Sequence, residues 1–286
     1  MVWSLNSSPP QLTEQQFAEW SKLLEDRAGI LLNMNQKQFL QTQVSLRMRE
    51  IGQEDFSHYL RHINDGVEGR VEWSILVDRL VVKETSFFRH QPSLNFVCAH
   101  LQDKINNNSL NGSYDVWSLG CSTGEEPYSL AILINESFEL ARREPFFGIT
   151  ATDISRVAIS IGKAGLYSER KLEFIPSAFR YKYFSEAGNG KYRFDHECSE
   201  KVCFSCANVM QLGDMPKMQF DVIYCQNMLV YFRRDLRRHL MDQLAQRLKP
   251  GGILVVGLGE IVNWSNPAVY RVSEAQVQAY ERRING

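Results

Sequence analysis

The run Gly120-Cys121-Ser122-Thr123-Gly124-Glu125-Glu126-Pro127 sets two adjacent carboxylates directly after a glycine-bounded turn. A turn between a strand and a helix is a common seat for a nucleotide-like cofactor, but this one is not G-x-G-x-x-G. A pyrophosphate needs backbone N–H groups and a positive helix end, and neighbouring carboxylates repel it. Carboxylates suit S-adenosylmethionine, which carries a sulfonium, an ammonium and ribose hydroxyls but no phosphate. Further along, Asp153 closes an apolar run, where an acidic residue can accept both ribose hydroxyls. Asn208 and Gln226-Asn227 end two later apolar runs in the same way. No Ser-His-Asp or Cys-His arrangement stands out.

The six cysteines are Cys98, Cys121, Cys198, Cys203, Cys206 and Cys225. Cys198-x4-Cys203-x2-Cys206, preceded by His196, has the look of a metal cluster. However, Cys203 and Cys206 sit in the strand-like VCFSCANV, and no distant C-x2-C or H-x3-H supplies a second ligand pair. No metal is expected. Cys121 lies in the cofactor loop and the other cysteines read as packing thiols.

Those residues must be positioned by an alternation of strands and helices. YDVWSLG over 114–120 reads as a strand, and Pro127 falls in the first turn of the following helix, where its missing N–H costs nothing. Phe146–Thr152 is a strand ending in Asp153, and Ile154–Ala164 a helix. Val202–Cys206 and Phe220–Cys225 are further strands, and Arg234–Leu248 is a helix closed by Lys249-Pro250-Gly251-Gly252 ahead of the strand ILVVG. Such alternation implies a mainly parallel sheet covered on both faces, with the site beyond the carboxyl ends of its strands.

Ahead of this region the periodicity is helical. Glu14–Ala28 puts Phe17, Trp20, Leu23 and Leu24 on one face, and Gln36–Ile51 does the same with Phe39, Leu40, Val44 and Met48. Phe56–Ile63 and Trp73–Val82 complete a helical head. The stretch 165–200 breaks the alternation. Tyr181–Phe184 and Tyr192–Phe194 flank a Gly188-Asn189-Gly190 turn, which predicts an inserted antiparallel β-subdomain. The expected organisation is a helical domain and linker over 1–90 and a catalytic domain over 91–286, interrupted at 165–200.

The 286-residue composition, 44% hydrophobic and 23% charged, excludes disorder and disulfide-knit miniatures. A formal charge of −1 offers no global field for nucleic acid or anionic lipid. MVWSLNSSPPQLTEQQ lacks the charged and apolar regions of a signal peptide, and the longest apolar stretch, around Ile253–Leu258, is too short to span a bilayer. A cytoplasmic monomer is expected.

At this level of detail the sequence resembles the CheR-type chemotaxis receptor methyltransferases. Lys83-Glu84-Thr85-Ser86-Phe87-Phe88-Arg89 is similar to their N-x-T-x-F-F-R, and Ser122 to Ser129 reproduces S-T-G-E-E-P-Y-S. Ala151-Thr152-Asp153-Ile154 matches A-T-D-I, and Cys225 to Phe232 resembles C-R-N-V-M-I-Y-F. Leu248 to Gly252 is followed by Gly259-Glu260, where the family often has H-S-E. The resemblance implies a Rossmann-like S-adenosylmethionine-dependent fold with a helical N-terminal domain and a small antiparallel β-subdomain. It also implies transfer of a methyl group to glutamate side chains on cytoplasmic helices of methyl-accepting receptors, leaving S-adenosylhomocysteine.

Carried over residue by residue, cofactor contacts fall on Thr85, Arg89, Gly120, Glu125, Asp153, Asn208, Val209, Asn227 and Met228, with Glu125 preferred over Glu126. A glutamate acceptor is already ionised near neutrality, so Arg89 and Tyr231 would steer it by charge and by hydroxyl donation. Departures are Lys83 for asparagine, Leu119-Gly120-Cys121 for an alanine-rich run, and Gln226 for arginine. The β-subdomain in this family can dock a receptor's C-terminal peptide by strand addition.

Two rivals carry different expectations. A nucleic-acid methyltransferase could stack bases on the aromatic, basic run Arg180–Phe194, but Gln226-Asn227-Met228-Leu229 lacks the [N/D]-P-P-[Y/F] turn of exocyclic-amine enzymes. A non-catalytic adaptor would keep the fold and lose the donor. Arg233, Arg234, Arg237 and Arg238 are expected to form a solvated basic helix face.

Overall fold

The computed structural model describes residues 10–284 and divides into two compact units. One comprises residues up to 82 together with 231–233, and the other 83–230 with the chain from 234 onward. Residues 1–9, on which the signal-peptide reading falls, lie outside the described part.

The first unit is four helices, α1 (Glu14–Ala28), α2 (Lys37–Glu50), α3 (Phe56–Asn64) and α4 (Gly66–Leu80). Thr13 caps α1 in a reciprocal capping box with Gln16, and Gly29 ends it in the left-handed conformation. Trp20, Leu24, Leu40, Val44, Met48, Tyr59, Ile63 and Leu76 are buried, the residues the helical period brings inward. Helix α4 begins seven residues before the expected Trp73. Its two glycines hid it, yet Gly69 is needed: a Cβ there would lie 2.5 Å from the His62 carbonyl of α3. The segment 231–233 joins this unit through Leu31 N–H to Tyr231 O at 3.1 Å and Arg233 to Glu25 at 3.2 Å.

The second unit opens with α5 (Gln91–Asn106), for which the sequence reading made no provision. Leu94, Val97, Leu101 and Ile105 are its buried stripe. Then follow β1 (Tyr114–Leu119), α6 (Glu125–Leu140), β2 (Phe147–Asp153) and α7 (Arg156–Ala164). The insert holds β3 (Leu166–Ser168), a short 3-10 helix Glu169–Leu172, α8 (Ser177–Tyr183), β4 (Phe184–Glu186) and β5 (Lys191–Phe194). The chain closes with α9 (His196–Ser199), β6 (Val202–Cys206), β7 (Phe220–Cys225), α10 (Arg234–Ala245), β8 (Leu248–Val256), β9 (Val269–Arg271) and β10 (Gln278–Arg282).

The main sheet runs β6-β2-β1-β7-β8-β10-β9. Its first five strands are parallel, and β10 and β9 continue it antiparallel. Central strands such as β7 are buried along their whole length, as expected of strands covered on both faces. The chain builds β1, β2 and β6 outward in one direction, then returns to lay β7 beside β1. That reversal opens a crevice at the carboxyl ends of β1 and β7.

Three local expectations fail. Tyr181-Lys182-Tyr183 belongs to α8, not to a strand. Phe179 and Tyr183 share its inner face while Tyr181 is 92% exposed, and the β4 strand starts only at Phe184. The Gly188–Gly190 turn does join two antiparallel strands, β4 and β5, within a three-stranded sheet β3-β5-β4. Helix α10 stops at Ala245, and Lys249–Gly252 forms a bulge inside β8, where Phe220 pairs Leu248 but Val222 pairs Ile253. Among the cysteines, Cys203 and Cys206 are exposed: on the edge strand β6, Val202 and Phe204 take the inward positions and Cys203 the outward one, while Cys206 is the strand's last residue.

Candidate active site

Parallel topology brings the loops after β1, β2, β6 and β7 to one edge of the sheet. Asp153, the last residue of β2, binds two of them together. Its Oδ2 accepts from Ser122 N–H and its Oδ1 from Ser155 N–H, both at 2.9 Å. A carboxylate held by two backbone N–H groups is fixed in direction and keeps lone pairs for a diol. Asn208 caps the 3-10 turn that begins at Val209, accepting from Met210 N–H at 3.0 Å.

Gly120, directly after β1, has φ +80°, and a Cβ there would lie 3.1 Å from Met228 Cγ. Only glycine lets the loops after β1 and β7 approach this closely. Gly124, at φ +97°, is tighter still, since a Cβ would meet the Tyr167 hydroxyl at 2.8 Å and Gly162 Cα at 2.9 Å. Ser122 and Asn227 also adopt positive φ, as do Phe88 and His90 at the end of the Lys83–Arg89 segment. For a residue as bulky as Phe88 this conformation is costly, and such strain concentrates where function requires a fixed backbone.

The two adjacent glutamates part company. Glu125 is fully buried, with Oε2 accepting from the Thr123 hydroxyl at 2.6 Å and Oε1 paired with Lys171 at 2.7 Å. Glu126 keeps some surface and accepts from Ser118 Oγ at 2.6 Å. Desolvation pushes its pKa up to about 8; the Ser118 bond and the nearby Arg89 charge oppose the shift, while Glu260 and Asp153 add to it. The preference for Glu125 as a ligand therefore meets a physical obstacle: it has no surface to offer, whereas its neighbour does. Ser118 was a readable signal, a hydroxyl in a strand whose other inward residues are apolar.

Arg89 is exposed and donates Nη1 to Glu84 O at 3.2 Å, with its charge acting on both Glu126 and Glu260. The rest of its segment is pinned: Ser122 Oγ donates to Lys83 O at 3.3 Å, and Phe88 N–H to Ser129 Oγ at 2.9 Å. Thr85 lies half-buried in this segment, Asn227 is exposed, Met228 half-buried and Val209 buried. Tyr231 is 39% exposed and belongs by its contacts to the helical unit. Burial raises the Cys121 thiol well above its usual range, with Asp153 and Glu126 adding to the effect, so it stays protonated.

The sequence places Gln226 at a strand end, Glu260 in a family motif and Arg237 on a basic face, but names no partner for any of them. Gln226 Nε2 donates to Ser93 Oγ and Val256 O, at 3.0 and 3.1 Å. Buried Glu260 accepts from Gly257 N–H at 3.0 Å, and Arg237 donates to the carbonyls of Glu260 and Val230, each at 3.0 Å. Arg238 likewise reaches Asn263 O. The expected solvated basic face is thus corrected: Arg237 and Arg238 hold loop carbonyls, and Arg233 pairs with Glu25.

Residues 83–279 match the family model for the CheR methyltransferase SAM binding domain, and residues 15–81 match the all-alpha domain of the same family. The chain belongs to the CheR methyltransferase family. A chemotaxis protein methyltransferase of Borreliella burgdorferi is 26% identical over 91% of this chain and 95% of that protein. Those of Vibrio anguillarum and Escherichia coli are 29% and 27% identical, each over 87% of this chain, covering 90% and 85% of their own lengths.

The CheR member described here is a methyltransferase that uses S-adenosylmethionine. Its residues suit that group: a fixed carboxylate at Asp153 for a diol, a second carboxylate at Glu126 for a cation, and a glycine cradle at Gly120 that a Cβ would fill. Among the described residues no helix is long and apolar enough to cross a membrane.

Proposed function

We propose that this chain methylates glutamate side chains on the cytoplasmic helices of methyl-accepting chemoreceptors, forming methyl esters for sensory adaptation, and that it works in the cytoplasm. The observation that carries the reading is Arg89, an exposed guanidinium whose charge acts on the Glu126 and Glu260 carboxylates. Such a cation attracts an anionic acceptor to a site whose own carboxylates hold a cationic donor. The names of the relatives support a chemotaxis substrate.

When bound, S-adenosylmethionine supplies a sulfonium methyl that passes to a carboxylate oxygen, the S–CH3 electron pair returning to sulfur with no proton transfer. Asp153 and Asn208 would hold the nucleoside end, with Val209 against the base. Thr85, Gly120, Asn227 and Met228 would shape the crevice, and Glu126 takes the role first given to Glu125. Arg89 orients the acceptor carboxylate along the transfer line, which is positioning rather than acid–base work. Tyr231 is assigned by motif alone, as a hydroxyl donor to the same carboxylate.

Residues 1–90 form the proposed receptor-facing helical region and 91–286 the catalytic region. The insert 165–200 offers β3 and β4 as free sheet edges for a receptor C-terminal peptide. Labelled methyl transfer to purified receptor cytoplasmic fragments tests the reading. Base-labile label released as methanol is expected. Base-stable label would mean an amine product, and no calorimetric binding of S-adenosylhomocysteine near micromolar concentrations would mean an adaptor that has lost the donor.

A further inference from the structure

The inserted subdomain reaches into the cofactor loop. Lys171, on its short 3-10 helix, sends one ammonium N–H to Glu125 Oε1 at 2.7 Å and another to the Thr85 carbonyl at 3.1 Å. Glu125 in turn accepts from Thr123 Oγ1 at 2.6 Å, and Tyr167 of β3 donates its hydroxyl to Thr123 O at 2.8 Å. Phe87, from the Thr85–Phe88 segment, packs edge-on against Tyr167 and Phe184 of the insert, with ring centroids 4.9 and 5.4 Å apart. Two insert side chains thus hold the loop before α6, and one of them also holds the Thr85 backbone. Thr85 of one held segment is a proposed cofactor contact and Glu126, another, directly follows Glu125, while neither insert side chain is among those contacts.

We propose that Lys171 is a positioning residue of the cofactor site, and that through it the insert and the site form one coupled element. The proposal rests on the cofactor placement given above. Glu125 is the relay. Its carboxylate is fully buried, so both oxygens need partners, and the partner for Oε1 comes from the insert rather than from the sheet domain. Release of Lys171 leaves one buried oxygen unpaired, and the cheapest repair is movement of the Thr123–Glu125 turn, which carries Glu126 with it. Conversely, anything that orders this turn must order residues 166–172, because coupling between two sites is reciprocal.

Amide hydrogen exchange with and without S-adenosylhomocysteine, followed on the full chain, tests this. In the wild type the ligand is expected to slow exchange across 166–172, although these residues lie outside the proposed contacts. In Lys171→Met that transmitted protection should vanish, and calorimetry should give an affinity about ten-fold lower, the scale of a severed coupling contact. Glu125→Gln combined with Lys171→Met removes the unpaired buried charge, so it should recover thermal stability but neither the protection nor the affinity. Unchanged protection of 166–172 in Lys171→Met, or wild-type affinity in that variant, would overturn the coupling. Failure of the cofactor placement itself would look different: Asp153→Ala would then bind S-adenosylhomocysteine as the wild type does, whatever the state of Lys171.

Discussion

Ser118 Oγ donates to Glu126 Oε1 at 2.6 Å, which fixes a carboxylate of α6 against β1 in a place where desolvation raises its pKa to about 8. The folded protein holds this proton more tightly than the unfolded chain, whose ordinary value is 4.5. Folding stability from this group is therefore highest below 4.5 and declines as pH rises from there through about 8. A cationic cofactor favours the ionised form, so binding should release a proton and strengthen between about pH 6 and 8. Calorimetry in buffers of different ionisation enthalpy measures that release. Glu126→Gln should abolish the proton release and weaken binding while raising the melting temperature above neutral pH. Proton release undiminished in Glu126→Gln would assign it to another group, first Glu260, whose pKa burial also raises.

Arg89 carries the proposed attraction for the acceptor. Replacing a preorganised charged donor at a reacting group costs on the order of 100-fold, so Arg89→Ala should lower kcat/KM by about that factor. Arg89→Lys should recover only part of it, because an ammonium lacks the planar fork that matches a carboxylate. Steady-state methyl transfer to receptor fragments measures both. An alanine variant with full activity would remove Arg89 from the mechanism.

Asp153 binds Ser122 N–H and Ser155 N–H at once, a pattern that asparagine cannot copy. One face of an asparagine side chain is an NH2, which would confront one of those two N–H groups. Asp153→Asn should therefore weaken S-adenosylhomocysteine binding about 100-fold, the loss of two charge-assisted hydrogen bonds to the ligand. A calorimetric titration at fixed pH is sufficient. The variant should also loosen the Ser122 amide, seen as faster hydrogen exchange without ligand.

Much of the site was legible because parallel strands deliver their last residues to one edge, so Gly120, Asp153, Asn208 and Asn227 could be placed from strand ends alone. The reason to propose Glu126 rather than Glu125 was not legible. It depends on which carboxylate the insert's Lys171 captures, a pairing across 46 positions of sequence. Helix α5 was missed between two stronger signals, and α4 started early because Gly66 and Gly69 lower helix propensity while permitting a close approach to α3. In α8, an aromatic and basic run that alternates like a strand folds as a helix, since burying Phe179 and Tyr183 together requires the four-residue period. Tertiary partners decided each of these.

Within the helical unit, Glu72 is the one acid buried among the bundle's side chains in the described residues, and it accepts from Arg47 Nε and Nη2 at 2.7 and 2.6 Å and from the Tyr59 hydroxyl at 2.6 Å. Burial alone would raise its pKa, but the bonds from Arg47 and Tyr59 outweigh burial and hold it below 4.5. The group's contribution is thus present above 4.5 and lost as pH falls through the lower folded value. Glu72→Ala strands the Arg47 charge and should destabilise this unit by about 3 kcal/mol, the low end for a broken buried pair because Arg47 keeps some solvent contact. Glu72→Gln should cost less at neutral pH, and its difference from the wild type should shrink in acid. Urea unfolding followed by tryptophan fluorescence, with Trp20 packed against Tyr59, reads both variants across pH. A constant difference between Glu72→Gln and wild type from pH 7 down into acid would mean that the carboxylate's charge contributes nothing to holding the four helices together.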